Sequence, residues 1–312
     1  MALSLTSQHT KSHAQVRKSD TQDNEPWNLQ AISTRVPVGG TDWVKMAYTY
    51  SYTQPVGGDV DIYVIDSGVY IEHTEFETRA SWGFVAAGLP QEDDNGHGTH
   101  VAGIAAGRIF GVAKNANIIA VKVLDTSGFT TMDDCIDGIN WVTGQAKRTG
   151  KLSIALMAFS VGRRRAINDA ATTLYFSGVT VVAAAGNTGS YAERMSPGSA
   201  AGVITVGSSN ILNIMTPSSN IGATVNVFAP GEFIIAAAAM GGPTDTGVRS
   251  GTSMAAAHVA GIAASILSMN PTLKPFRLLQ KIEDISTRGV ITGVPGGKGT
   301  PTDLAFNGYN IV

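Results

Sequence analysis

Ile62-Tyr63-Val64-Ile65-Asp66-Ser67-Gly68 decides the fold of this chain. Its apolar run, residues 60–65, has no polar face, so a strand here must be covered on both sides, as in a parallel sheet between two helical layers. Runs of the same kind recur at residues 118–123, 152–159, 179–184, 203–207 and 225–228. Helical patterns fall between or after them, at residues 100–106, 132–147, 166–176, 253–267 and 273–282. This alternation predicts an α/β protein with a mostly parallel, doubly wound sheet flanked by helices. In such a sheet ligands bind off the carboxyl ends of the strands. Asp66 directly follows a strand there, and Asn187 follows Val181-Val182-Ala183-Ala184-Ala185-Gly186.

Composition agrees with a large buried sheet. Of 312 residues only 15% are charged, against roughly 25% in an average soluble domain, and 36 are glycine. The length suits one large domain, residues 25–312. Residues 1–24 are polar and aperiodic and read as a flexible tail or the remnant of a propeptide. A net charge of −2 gives no electrostatic reason to expect nucleic acid, and Arg163-Arg164-Arg165 reads as a solvated turn. The longest apolar stretch, residues 254–269, is interrupted by His258, Ser265 and Ser268, so no membrane span is expected. The first residues lack the basic and apolar regions of a secretory signal. Cys135 is the only cysteine; no intrachain disulfide can form, and its place on a helix facing the core predicts an inert thiol.

Two further segments carry chemistry. Asn95-Gly96-His97-Gly98-Thr99-His100 supplies an imidazole, and Gly251-Thr252-Ser253-Met254-Ala255 puts a hydroxyl at the start of an apolar helix. A serine hydroxyl is a poor nucleophile until a base takes its proton, and a neutral imidazole can do so near pH 7. The base in turn needs an acceptor on its other nitrogen, a role open to Asp66. An oxyanion formed by attack needs donors, for which the Asn187 amide and the Ser253 N–H are suited. Taken singly, Asp66 could cap a turn, His97 could be a surface histidine and Ser253 an ordinary N-cap. Jointly, in the chain order Asp, His, Ser, they form one of the known triad arrangements. A metal site at His97 and His100 lacks a third ligand, and an α/β-hydrolase would need Gly-x-Ser-x-Gly and the reverse order.

With these residues in view, the chain from Asn24 onward resembles the subtilisin-like serine proteases (peptidase S8), most closely the proteinase K-like, fungal-type branch. Val64-Ile65-Asp66-Ser67-Gly68-Val69 looks like the family's aspartate motif, residues 95–103 like its histidine motif, and Ser250-Gly251-Thr252-Ser253-Met254-Ala255 like its serine motif. The resemblance implies a three-layer subtilisin-like fold and serine endopeptidase activity. It makes His97 the base and leaves His100 a structural role. It assigns Asn187 to the oxyanion and residues 184–186 (Ala184, Ala185, Gly186) to a wall of the S1 pocket. Leu124-Asp125-Thr126-Ser127-Gly128 becomes the edge that pairs with an extended polypeptide.

The family's other S1 wall reads here Ala158-Phe159-Ser160-Val161-Gly162, with side chains where glycines are usual, so a narrower, apolar S1 is expected. The proline usual after the nucleophile is absent from Met254-Ala255-Ala256-Ala257-His258. Where the family has a calcium-binding aspartate the chain has Asn226, which weakens a hard-cation site, so no cofactor is required and calcium is possible but not expected. Secretion, a propeptide or protein inhibitor as partner, and a monomeric state follow from resemblance alone. Two other outcomes stay open: an inert binding module on the same fold, or an acyl-transfer variant that passes the acyl group to an amine.

Overall fold

The structure, a computed structural model, describes residues 18–54, 56–296 and 299–310. In chain order, β1 (Ser19–Pro26), α1 (Trp27–Ala31) and β2 (Met46–Thr53) precede β3 (Val60–Asp66) and β4 (Ala80–Val85). Then come α2 (His97–Ala106), β5 (Asn117–Lys122), α3 (Met132–Thr149), β6 (Leu152–Met157), β7 (Val161–Gly162) and α4 (Arg165–Phe176). The chain continues through β8 (Thr180–Ala184), β9 (Met195–Ser196), β10 (Ile204–Ser209), β11 (Val227–Pro230), β12 (Ile234–Ala237) and β13 (Thr246–Arg249). It closes with α5 (Thr252–Met269) and α6 (Pro275–Ile285).

Seven strands form one parallel sheet in the order β11-β10-β8-β6-β3-β5-β4. The period-2 alternation of strand side chains explains why its strands are apolar throughout. Ile62 and Val64, Ile154 and Leu156, Val182 and Ala184 pack in one core with α2, α5 and α6. Tyr63 and Ile65, Ala155 and Met157, Val181 and Ala183 pack in the other, with α3 and α4. Three layers result. After β3 the chain builds β4 and β5 on one side and then crosses to β6 on the other, so the order reverses around β3 and opens a crevice at its carboxyl end.

Helix α5 has the length and composition of a membrane span, but residues 252–267 are all buried against the sheet and α2. Near its start a buried histidine forms a side-chain bridge. His258 Nδ1 donates to the Met254 carbonyl at 2.8 Å, while its Nε2 accepts from Asn28 Nδ2 at 2.8 Å. Burial lowers the His258 pKa to about 4, which keeps the ring neutral for this bridge.

The reading of residues 1–24 as a tail needs correction for residues 19–24. They belong to β1, which pairs antiparallel with β2; residues 1–17 lie outside the described residues. The polar pattern misleads because β1 is an edge ribbon with only Glu25 and Pro26 buried. Glu25 lies 3.7 Å from Lys114, which ties the strand's end to the body of the protein.

Candidate active site

Asp66 is the last residue of β3 and has no solvent exposure. Its Oδ1 accepts from His97 Nδ1 and from the Ser67 N–H, both at 2.8 Å. His97 opens α2, with 21% of its side chain exposed. Burial alone would lower its pKa, but the Asp66 charge and hydrogen bond outweigh that and raise it above the ordinary 6.5.

The turn before α2 is clamped from below. Asp93, itself buried, accepts from Ser67 Oγ at 2.7 Å, from the Gly96 N–H at 2.8 Å and from the Thr99 N–H at 2.8 Å. Asn95 Oδ1 accepts from the His97 N–H at 3.1 Å. The fully buried Lys122 ammonium donates to the Ser67 carbonyl at 2.7 Å and pairs with Asp94 at 2.6 Å. Gly98 allows α2 to approach β3 closely, since a Cβ there would run into the Gly68 carbonyl oxygen. Asp93 and Lys122 carry no signal of this role in the motifs; only the contact between β3 and the α2 turn makes it visible.

Ser253 is the second residue of α5, where the first N–H groups lack intrahelical acceptors. Among the described residues it makes no hydrogen bond with His97. Its hydroxyl donates to the Ala158 carbonyl instead. Asn187 is exposed, and its Oδ1 is held by the Thr252 N–H at 2.8 Å and Thr252 Oγ1 at 3.0 Å. Thr252 Oγ1 also accepts from the Gly186 N–H at 3.1 Å. With the amide oxygen fixed, the nitrogen is left to donate. Gly251, at φ +144°, keeps the space beside that nitrogen clear; a Cβ would sit 3.1 Å from Nδ2.

The expected subsite residues separate into two groups. Ser160 Oγ and Gly186 face each other, the oxygen lying 3.1 Å from where a Gly186 Cβ would stand. Phe159, Ala184 and Ala185 instead turn their side chains into the cores. Phe159 is 9% exposed and packs against α3 and α4, so its ring does not narrow the crevice. Gly128 lies not on a strand edge but in a turn: β5 stops at Lys122, and the Asp125 carboxylate accepts from the N–H groups of Ser127 and Phe129 at 2.9 Å. Asn95 Nδ2 joins that turn to the His97 segment through the Thr126 carbonyl at 3.0 Å.

Two candidate roles are taken up structurally. His100 Nε2 donates to the Gly247 carbonyl at 3.1 Å, and burial lowers its pKa to about 3. Asn226 accepts from the Thr205 N–H at 2.9 Å and donates to Glu283 at 3.0 Å. Both ends of that amide are spent on the protein.

Fold and site together define a subtilisin-like serine protease. The family model described as Subtilase family, Peptidase_S8, matches residues 57–299. Subtilisin-like protease 1 of Pseudogymnoascus destructans is 40% identical over 295 residues, covering 94% of this chain and 70% of that protein. A cuticle-degrading serine protease of Arthrobotrys oligospora is 38% identical over 295 residues, covering 92% and 69%. The solved structure of a cold-adapted subtilisin-like serine proteinase superposes with a TM-score of 0.80 at 34% identity, covering 91% of this chain and 98% of that one. The chain belongs to the subtilase family.

Proposed function

We propose that this protein hydrolyses internal peptide bonds through an acyl-enzyme. Ser253 Oγ attacks the scissile carbonyl as His97 Nε2 takes its proton, and Asp66 holds the ring and stabilises the imidazolium. The oxyanion accepts from Asn187 Nδ2 and the Ser253 N–H. Collapse breaks the C–N bond while His97 returns the proton to the departing amine; water then repeats the sequence to free the acid. The polypeptide enters extended, between the 124–128 turn and the Ser160–Gly186 gap.

The observation that supports this most is the buried Asp66–His97 hydrogen bond of 2.8 Å at the crevice end of β3. The hydroxyl of Ser253 resting on Ala158 fits a free enzyme, since hydrogen bonds among catalytic groups often tighten only once substrate is bound.

The test is intact-mass labelling with a fluorophosphonate, run on the protein and on Ser253→Ala, with circular dichroism to verify both folds. One adduct on the parent and none on the variant is expected, together with peptide products that have gained water. A folded parent that takes no label overturns the proposal. Products joined to an amine without added water would turn it to acyl transfer.

A further inference from the structure

The hairpin of β12 and β13 runs directly into the turn that carries Ser253, and His100 pins its return strand to α2 through Gly247. Arg249 ends that strand. Its side chain turns toward the start of α2, where Nη2 donates to the Asn95 carbonyl at 3.1 Å. The same nitrogen lies 3.3 Å from the point a Cβ on Gly96 would occupy, one residue before His97. Met240, 74% exposed and in the loop that joins β12 to β13, approaches that point to 3.7 Å.

A guanidinium has five N–H donors, and among the described residues that of Arg249 makes one hydrogen bond, to a neutral carbonyl. Among the described residues it forms no ion pair. Of the acidic side chains just before Asn95, Asp93 is committed to Ser67, Gly96 and Thr99 and Asp94 to Lys122, while the exposed Glu92 forms no ion pair with Arg249. A half-buried cation with free donors and no counter-charge is a receptor for a carboxylate, which it can take in a bidentate fork. Its charge already reaches the site, for it opposes protonation of His97.

Position decides which part of a substrate it meets. The acyl half is held toward Asn187, Ser160 and Gly186, whereas the amine leaves on the side of His97, which must protonate it. Arg249 flanks His97 by way of Asn95 and Gly96.

Resting on the hydrolytic reading above, we propose that Arg249 makes the site select an acidic residue at the first or second position after the cleaved bond. The favoured substrate class is then polypeptide with Asp or Glu just beyond the scissile bond.

The experiment uses fluorescence-quenched peptides that share every residue before the scissile bond and carry Glu, Ala or Lys at the first or second position after it. The readout is the ratio of kcat/KM values within one enzyme. At low salt the protein should prefer Glu over Lys about tenfold at one of these positions, the scale of a charge-assisted hydrogen bond. Salt should shrink the ratio. Arg249→Ala should bring it to about one, Arg249→Glu should invert it, and Arg249→Lys should keep part of it. Cleavage by the parent protein with no acid preference at either position overturns this inference alone, as does a preference unchanged in Arg249→Ala. A folded protein that cleaves none of the peptides overturns the hydrolytic reading, and this inference with it.

Discussion

His97 Nδ1 meets Asp66 Oδ1 at 2.8 Å, with the carboxylate wholly buried behind a ring that keeps a fifth of its side chain exposed. Burial pulls the His97 pKa down, and Asp66 raises it further than that, to a value above 6.5. A base acts when neutral, so kcat/KM should rise with pH through a midpoint above 6.5. The stability linkage has the opposite sign. A histidine with a raised folded pKa contributes stability fully below its unfolded pKa and loses it as pH climbs through the folded one. Asp66→Asn removes the largest contributions that oppose desolvation and leaves only a smaller one from Asp93. Its midpoint should fall, and kcat should drop by about four orders of magnitude, as a lost orienting carboxylate does in comparable triads. A pH–rate profile of both proteins checks both effects; an unmoved midpoint would contradict the pairing.

Asn187 offers its nitrogen because Thr252 holds its oxygen twice, at 2.8 and 3.0 Å. Asn187→Ala should lower kcat by roughly two to three orders of magnitude with little change in KM, the pattern for a donor used only in the transition state. Thr252→Val removes one of the two holds and the acceptor of the Gly186 N–H, so it should act in the same direction by a smaller factor. Steady-state kinetics separate the two: if KM rises and kcat stands still, Asn187 binds substrate rather than the oxyanion.

The sheet was legible because a strand covered on both faces leaves an apolar run that needs no partner to interpret, and six such runs overlap β3, β5, β6, β8, β10 and β11. Where structure depends on what a segment meets, the chain alone says less. β1 is polar along most of its length and is a strand only because β2 pairs with it. A signal for β2 was available in the alternation Tyr48, Tyr50, Tyr52. Phe159 was assigned to the crevice by motif, yet the alternation Ala155, Met157, Phe159 continues one face of β6 and already directs the ring to α3 and α4. Asp66 and His97 could be named from their motifs, but not the turn of the Ser253 hydroxyl to Ala158 or the approach of Arg249 to Asn95.

Cys135 sits on α3 inside the core, and burial, with a smaller contribution from Asp134, pushes its thiol up to about 12. The thiolate is the reactive species, so the native protein should resist iodoacetamide at pH 8 and gain one adduct after unfolding in guanidinium. Intact mass before and after denaturation reads this directly. Labelling of the folded protein would show that α3 opens locally.

Two helical glycines should respond to the same substitution with opposite signs. Gly144 in α3 has nothing within 4 Å of a would-be Cβ, so Gly144→Ala should stabilise by about 0.5–1 kcal/mol through helix propensity alone. Gly98, in the first turn of α2, has at most that propensity to gain, but its Cβ would collide with the Gly68 carbonyl oxygen, and backbone cannot swing aside as a side chain can. Overpacking of this kind costs about 1–3 kcal/mol, which outweighs the gain. Relief requires α2 to move off β3, and α2 begins with His97. Gly98→Ala should therefore lower Tm and also reduce kcat, whereas Gly144→Ala should raise Tm and leave kcat unchanged. Thermal melts and steady-state rates on the two variants decide it. A stabilised Gly98→Ala with full activity would mean that the close contact between α2 and the strand bearing Asp66 is not what sets the position of His97.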